Sequence, residues 1–367
     1  MSAQAFGDAD TVFMQRALAL AARGMFTTTP NPRVGCVIVD HGSVIAEGWH
    51  ERPGEAHAEV AALRAAESQG RDVRGATLYV TLEPCNHTGL TPPCTEALIA
   101  AGIDRVVAAM PDPHALAAGG AGRLRAAGIR VETGLCESEA RELNCGFISR
   151  VTRGRPFVRM KVAASLDGRT ATQDRRSQWI TRKPARDDGH AWRARACAVL
   201  TGIGTVRADN PQLTVRALAT PRQPLRVIVD RHAQTPRVAK VLEGGALVVT
   251  ADARSDAWPD EVEHVALPDA QGRVDLHAMM HMLGRRGVNE LHVEAGARLN
   301  AALLDAGLVD EVLAYVAPSV IGDPAYGMAQ LNAPRSLEER TRLHFESIDR
   351  IGDDLRIRAR VVQSSQA

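Results

Sequence analysis

Two stretches, HAEVAAL (His57–Leu63) and TLEPCNHTGLTPPC (Thr81–Cys94), decide how this chain is read. They offer one imidazole, His57, and two thiols, Cys85 and Cys94, a donor set suited to zinc. Three protein ligands leave a fourth position open for water, whereas a structural zinc site closes it with a fourth residue. Glu59 lies two residues after His57 and is free to move protons beside that water. Local patterning supports the placement. A helix is predicted over 57–69, a strand over 76–82 and a helix over 95–101. His57 and Cys94 then sit at helix starts, where free N–H groups and the helix dipole favour a thiolate. Two cysteines at this spacing alone are weak evidence; the upstream H-x-E makes an incidental pair a poor explanation.

Outward from these stretches, helices alternate with strands. Residues 10–23 read as a helix with Met14, Ala17, Leu18 and Ala21 on one face, and 33–40 with 43–49 as a hairpin turning at His41-Gly42. A strand is expected at 104–110, then helices at 116–127 and 137–147 around a strand at 129–133. Such an order implies a mixed sheet with helices on both faces. The basic, Gly- and Pro-containing run RVTRGRP (Arg150–Pro156) reads as a boundary, giving two domains, 1–150 and 151–367. In the second, strands are expected at 157–163, 198–201, 225–230, 246–250, 290–293 and 311–316, with helices at 184–196, 276–286 and 297–305.

Composition narrows the function. At 367 residues the chain is too long for one ordinary core. Lys+Arg 44 against Asp+Glu 43 leaves no overall field to recruit nucleic acid or an acidic membrane. Residues 1–147 hold 12 basic and 17 acidic side chains, and all three lysines (Lys161, Lys183, Lys240) lie beyond them. The net-acidic, aromatic-poor first half argues against an editing deaminase acting on nucleic acid, which needs a basic stripe or stacking aromatics. Glu59 and the open coordination position argue against a purely structural zinc module. No apolar run reaches the roughly 18 residues of a membrane span. Six cysteines in a long chain without a recognisable signal peptide read as free thiols or metal ligands, so a cytoplasmic location is expected.

The H-x-E…P-C pattern resembles the zinc-dependent cytidine deaminase superfamily, although eight residues separate Cys85 from Cys94 instead of two. That longer loop, with TPNPRVGCVIV (Thr29–Val39) and GWH (Gly48–His50), is similar to the deaminase half of the bifunctional riboflavin biosynthesis deaminase/reductases. KVAASLDGRTA (Lys161–Ala171), SQWIT (Ser177–Thr181), TVRADNPQLTVR (Thr205–Arg216) and VEAGARL (Val293–Leu299) resemble the reductase half. The resemblance covers about residues 8–360. It implies a cytidine-deaminase-like three-layer α/β/α domain followed by a dihydrofolate-reductase-like α/β domain. It also implies zinc and NADPH as cofactors, a small pyrimidine ribosyl phosphate as substrate, and a homo-oligomer.

Residue by residue, the resemblance makes His57, Cys85 and Cys94 the zinc ligands and Glu59 the proton shuttle. It places Asn31, His50 and His87 at the pyrimidine. Asn31 stands between two prolines, in a rigid loop suited to aiming its amide. Leu90 departs from the family's Lys or Arg, leaving Arg52 as a candidate for the substrate anion. In the reductase half, Ala163, Trp179, Thr205, Asp209, Arg231, Gly296, Ala297, Arg298 and Leu299 are implied at the cofactor. Lys161, Ser177, Arg193, Leu213, Arg216 and Glu294 are implied at the substrate. Arg193 and Arg216 suit a phosphate because guanidinium grips it in bidentate fashion. Glu294 or Asp209 is expected to assist ring opening as an acid. Standing alone, Trp179 reads as core and the arginines as a solvated face.

Overall fold

The computed structural model describes residues 6–88, 92–252, 258–331 and 336–362, which divide into two compact units, Met1–Gly154 and Arg155–Ala367.

The first unit opens with α1 (Asp8–Arg23), then β1 (Gly35–Asp40) and β2 (Ser43–Trp49) as an antiparallel hairpin. There follow α2 (Ala58–Ser68), β3 (Thr77–Val80), α3 (Cys94–Ala101), β4 (Arg105–Ala108), α4 (Gly120–Ala126), β5 (Arg130–Thr133), α5 (Glu137–Leu143) and α6 (Cys145–Arg153). The sheet runs β2-β1-β3-β4-β5, antiparallel across β1 and parallel from β3 to β5. Two glycines show how the layers close. A Cβ on Gly35 would lie 2.0 Å from the Ala17 carbonyl oxygen of α1, and one on Gly48 would lie 2.4 Å from Ala58 O and Ala62 N of α2. Gly48 pairs with Cys36, the neighbour of Gly35, so the two glycines face opposite sides of the sheet. Hence α1 covers one face and α2 the other, each at backbone contact. The core lies between, with Met14, Ile38, Leu78, Leu98 and Val106 fully buried. On α1 it is Leu20 rather than Leu18 that joins Met14, Ala17 and Ala21 in the core.

Three local expectations need correction. The helix expected at 137–147 breaks at Asn144, whose buried side chain is committed elsewhere, and restarts as α6. Arg150, expected at the boundary, is therefore helical, and α6 runs on to Arg153. The helix expected at 116–127 shrinks to α4, because Gly119 takes the left-handed φ of 94° just before it.

The second unit contains β6 (Phe157–Ser165), β7 (Arg169–Ala171), α7 (Lys183–Arg195), β8 (Ala198–Gly202), α8 (Ile203–Asp209), β9 (Leu225–Val229), β10 (Ala246–Thr250), β11 (Val262–Ala266) and α9 (Leu276–Arg285). It continues with β12 (Glu290–Val293), α10 (Ala297–Asp305), β13 (Glu311–Ala317), β14 (Tyr326–Gly327), β15 (Leu343–Ile351) and β16 (Asp354–Val361). The main sheet is ordered β11-β10-β9-β8-β12-β6-β13-β16-β15. It is parallel from β11 to β13, and β16 and β15 add an antiparallel edge. The parallel strands are buried on both faces and read as near-continuous apolar runs, such as ALVVT in β10. β11 and the β15–β16 hairpin are absent from the sequence reading. Their patterns, VEHVA and LHFESIDRI, mix charge into every few residues.

Candidate active sites

In the first unit, helix starts and a strand end converge. His57 is the N-cap of α2, Cys94 the first residue of α3, and Cys85 lies in the loop after β3. The ligand atoms of these three residues lie within 4.8 Å of one another. His57 Nδ1 is 3.2 Å from Cys94 Sγ and 3.5 Å from Cys85 Sγ. The hydrogen bond between the two sulfurs draws the Cys85 thiol down to about 4 and pushes Cys94 up, so the pair retains one proton. Two sulfurs and an imidazole closed to this distance, with one sulfur already ionised, are a donor set that fits zinc.

Glu59 is buried in the first turn of α2, and burial pushes its carboxyl up to about 7, against a hydrogen bond to Cys94. A carboxyl that exchanges its proton near neutral pH, in contact with the metal site, is equipped to carry one. Beside it, His50 Nε2 is 3.0 Å from Asn31 Nδ2, and the His50 ring meets His57 edge-on at 5.4 Å. His50 Nδ1 contacts the Ala56 carbonyl, and burial lowers its pKa. The structure thus brings Asn31 and His50 to the metal cluster. His87 lies two residues after Cys85, with a buried Nδ1 that has no hydrogen-bond partner among the described residues. Arg52 is exposed, two residues beyond His50, whereas Leu90 lies outside the described residues.

Supporting groups that sequence reasoning missed hold these pieces still. Glu83 accepts hydrogen bonds from Ala121 N (2.8 Å) and Asp112 N (3.2 Å), locking the loop before α4 against the strand that ends at the metal loop. A Cβ on Gly120 would lie 1.8 Å from the Pro84 carbonyl oxygen, so the two loops touch through backbone. Asn144 exchanges hydrogen bonds with the Arg33 backbone at 2.8 and 2.9 Å, and Arg150 donates to the Pro30 carbonyl, pinning both sides of Asn31. The one available signal was the side-chain type, a carboxylate and an amide inside otherwise apolar runs.

In the second unit, the carboxyl ends of β8 and β12 lie side by side. Glu294 N donates to Leu200 O and Thr201 Oγ1 donates to Glu294 O. The two following helices, α8 and α10, begin at this edge. Gly202 and Gly296 are their N-caps, and a Cβ on Gly296 would stand only 3.6 Å from Thr205 Oγ1. Ala297, Arg298 and Leu299 form the first turn of α10, and Leu299 packs within 3.3 Å of the Cβ position of Gly202. Arg231 follows β9 at the same end of the sheet, with Gly272 beside its guanidinium. This paired strand-to-helix edge, open in front of Gly204 and lined by backbone N–H groups, fits a cofactor diphosphate.

Next to that edge, Arg193 grips Glu294 in bidentate fashion at 2.7 and 3.0 Å and donates to the Thr214 carbonyl. Burial would raise the Glu294 carboxyl, but Arg193 and Lys161 hold it well below the ordinary carboxylate range. The expectation of Glu294 as an acid is therefore corrected: it carries no proton to give. Burial pulls Lys161 down, opposed by Glu294. Arg216 is exposed, hydrogen-bonded to Gln212 and Thr214, with its N–H on His190. Leu213, between them in sequence, is buried at a left-handed φ of 56°. Ser177 reaches Asp209 at 3.3 Å. Ala163 lies half-buried on β6 beside Leu313 and Tyr315. Trp179 is 69% exposed with Arg186 stacked on it, so it is not a core residue.

Residues 8–110 match the cytidine and deoxycytidylate deaminase zinc-binding region, and residues 156–357 match the RibD C-terminal domain. The riboflavin biosynthesis protein RibD of Escherichia coli K12 is 46% identical over 361 residues, covering 94% of this chain and 98% of that protein. The chain belongs to the RibD family. The RibD of Aquifex aeolicus is 41% identical, covering 94% of this chain and 97% of its own. Solved structures agree. Acinetobacter baumannii RibD superimposes with a TM-score of 0.88 at 42% identity, over 97% of this chain and 99% of that one. A Thermotoga maritima diaminohydroxyphosphoribosylaminopyrimidine deaminase/5-amino-6-(5-phosphoribosylamino)uracil reductase gives 0.89 at 35% identity, over 96% and 99%. With RibD membership come both activities, a zinc-dependent deaminase and an NADPH-dependent reductase of riboflavin biosynthesis. Among the described residues, no helix is long and apolar enough to cross a membrane.

Proposed function

We infer that the two units act in turn on one pyrimidine. The first hydrolyses the 2-amino group of 2,5-diamino-6-ribosylamino-4(3H)-pyrimidinone 5′-phosphate. The second reduces the ribosyl group of that product to ribityl. The observation that carries this reading is the His57–Cys85–Cys94 cluster with buried Glu59 against it. These three residues would hold zinc, which when bound supplies a Lewis acid that makes water nucleophilic near neutral pH. Glu59 takes the proton from that water and delivers it to the departing amine, a task its carboxyl near 7 suits. Asn31 and His50, joined by their own contact, orient the pyrimidine edge; His87 offers a further polar atom. Arg52 takes the phosphate in place of the cation that Leu90 does not supply.

In the second unit, Thr205, Asp209 and Gly296 to Leu299 contact the cofactor, whose diphosphate meets the backbone N–H groups at Gly296, with Arg231 beyond them for the 2′-phosphate. NADPH supplies the hydride. Trp179 and Ala163 flank the nicotinamide side. Arg216, Ser177 and the backbone at Leu213 bind the ribosyl phosphate, and Arg193 is shared between that anion and Glu294. Lys161 and Glu294 face the sugar as fixed opposite charges, steadying the ring-opened form without exchanging the Glu294 proton.

The chain acts as a homo-oligomer in the cytoplasm. Among the described residues β15 ends the main sheet and pairs only with β16, and Leu343, Phe345 and Ile348 on it are 45%, 60% and 57% exposed. A second copy of the chain is the occupant that covers such an edge symmetrically. F345E is expected to halve the mass by sedimentation, with both active sites intact.

A coupled assay tests the order of events. Given the diaminopyrimidine ribosyl phosphate and NADPH, ammonia release precedes loss of NADPH absorbance in equal amounts. NADPH consumption without ammonia would overturn the sequence proposed.

A further inference from the structure

Strand β12 places Glu290, His292 and Glu294 on one face, two residues apart. In the parallel register His292 lies opposite Arg159 of β6, and Lys161 follows on the same face of β6. Helix α7 adds Arg193 and Arg195. Both carboxylates in this column are partnered: Glu290 by Arg159 and Arg195, and Glu294 by Arg193. His292, between them, is 1% exposed, and neither ring nitrogen has a hydrogen-bond partner among the described residues. Its Nε2 stands 3.6 Å from Glu294 Oε1, just beyond hydrogen-bond length. Leaving such a group unpaired carries a cost that a leucine of similar size would not. The imidazole nonetheless stands behind the carboxylate that the proposed function places at the reductase site.

We propose that His292 is the standby partner of Glu294, a positioning residue that takes over its free oxygen when the substrate anion draws Arg193 away. Arg193 now holds both Glu294 oxygens and the Thr214 carbonyl, so a phosphate reaches it only by sharing. An imidazole N–H at 3.6 Å closes to a hydrogen bond by a side-chain shift of well under an ångström. Glu294 then stays ionised and aimed in the loaded site as in the free one. Burial, with Arg193, Arg159 and Lys161 close by, keeps His292 neutral down to about 3, so one ring nitrogen always carries a donor hydrogen and the other none. This inference rests on the reading that the substrate contacts Arg193.

The test is a pH profile on three variants of the full chain. The groups facing Glu294 are Arg193 and His190 from α7, Lys161 from β6, Tyr315 from β13 and His292 of β12, while Arg159 of β6 faces His292. In H292L, kcat for reduction falls about tenfold and its acid limb rises by about one pH unit, because Glu294 loses its donor only in the loaded site. The acid limb of kcat/KM, set by the free enzyme, stays in place. H292Q, which keeps an N–H donor, restores most of kcat. Without NADPH, ribose 5-phosphate moves the His292 ring signal in the NMR spectrum of the wild type. A folded H292L with wild-type kcat and acid limb overturns the proposal, as does a ring signal unmoved by saturating ribose 5-phosphate. R193Q separates the underlying reading: if it binds ribose 5-phosphate as tightly as wild type, Arg193 does not share the anion and the proposal falls with that reading. If R193Q loses binding while H292L behaves as wild type, only the role of His292 is lost.

Discussion

Glu59 and Glu294 are the same side chain, both largely removed from water, in opposite protonation regimes. Around Glu59 burial wins over a backbone hydrogen bond and the charge of His57; its carboxyl rises to about 7. Around Glu294 burial loses to Arg193 and Lys161, and the carboxylate stays ionised. In the function proposed above, the first carries protons and the second is a fixed charge. Hydrolysis of an amidine needs protons moved at neutral pH, whereas hydride transfer needs a steady field and a positioned sugar. One residue type therefore supplies two chemistries according to its neighbours.

The sharpest way to break the contrast is to remove the charge of each carboxyl group in turn. E59Q is expected to lower ammonia release by about 10³-fold. Zinc content by atomic absorption should stay stoichiometric, and reduction of the supplied deaminated pyrimidine should be unchanged. A smaller loss, about 10²-fold in NADPH oxidation, is expected for E294Q, since the amide keeps the shape but not the charge. It also leaves Arg193 with an uncompensated charge, so thermal stability of the reductase unit should fall with it. An E294Q enzyme at wild-type turnover would remove Glu294 from the reductase site.

A third expectation concerns acid. Glu311 sits fully buried on β13 against Arg159, Arg358 and Arg360. Burial would raise its carboxyl, but Arg159 and Arg358 hold it at about 2, below its ordinary 4.5. The folded state therefore binds this proton less readily than the unfolded chain. The resulting stability, at most about 3 kcal/mol, is complete above about 4.5 and is lost as pH falls toward 2. E311Q should flatten the acid limb of the reductase-unit melting curve between those values, measured by calorimetry. Glu59 has the opposite sign: its raised carboxyl makes the metal-free deaminase unit less stable as pH climbs past 4.5 toward 7.

What could be read beforehand divides along the same line. The metal ligands and Glu59 announce themselves because few residue types do that chemistry and they cluster within short runs. The strands of the reductase core were visible as apolar runs bounded by polar turns. Hidden were the parts that exist only through distance in the chain. Asn144 closes on Arg33 and Glu83 on Ala121, and neither pairing leaves a period in the sequence. Arg193 reads as a free phosphate ligand until Glu294, 101 residues away, is seen on it. The β15–β16 hairpin escaped because one side of its alternation faces solvent and carries Leu343 and Phe345 where a strand pattern expects polar residues.

The glycines of the two sites give the smallest and most discriminating expectation. Gly48 exists to let α2 touch β2: a Cβ there would sit 2.4 Å from two backbone atoms of the helix that carries His57 and Glu59. Backbone does not yield as a side-chain tip does, so G48A must lift α2. The expected result is a loss of about 1–3 kcal/mol of stability together with weaker zinc retention during dialysis. Gly296 is the opposite case. Its φ of −78° suits any residue, and an added Cβ would meet only Thr205 Oγ1, at an ordinary 3.6 Å. Protein packing therefore does not require glycine at 296; the cofactor diphosphate proposed to approach this backbone would. G296A should melt with the wild type yet bind NADPH about tenfold more weakly by fluorescence titration. If G296A instead lowers the melting temperature and leaves NADPH binding alone, the glycine serves the fold and the cofactor lies elsewhere along the β8–β12 edge.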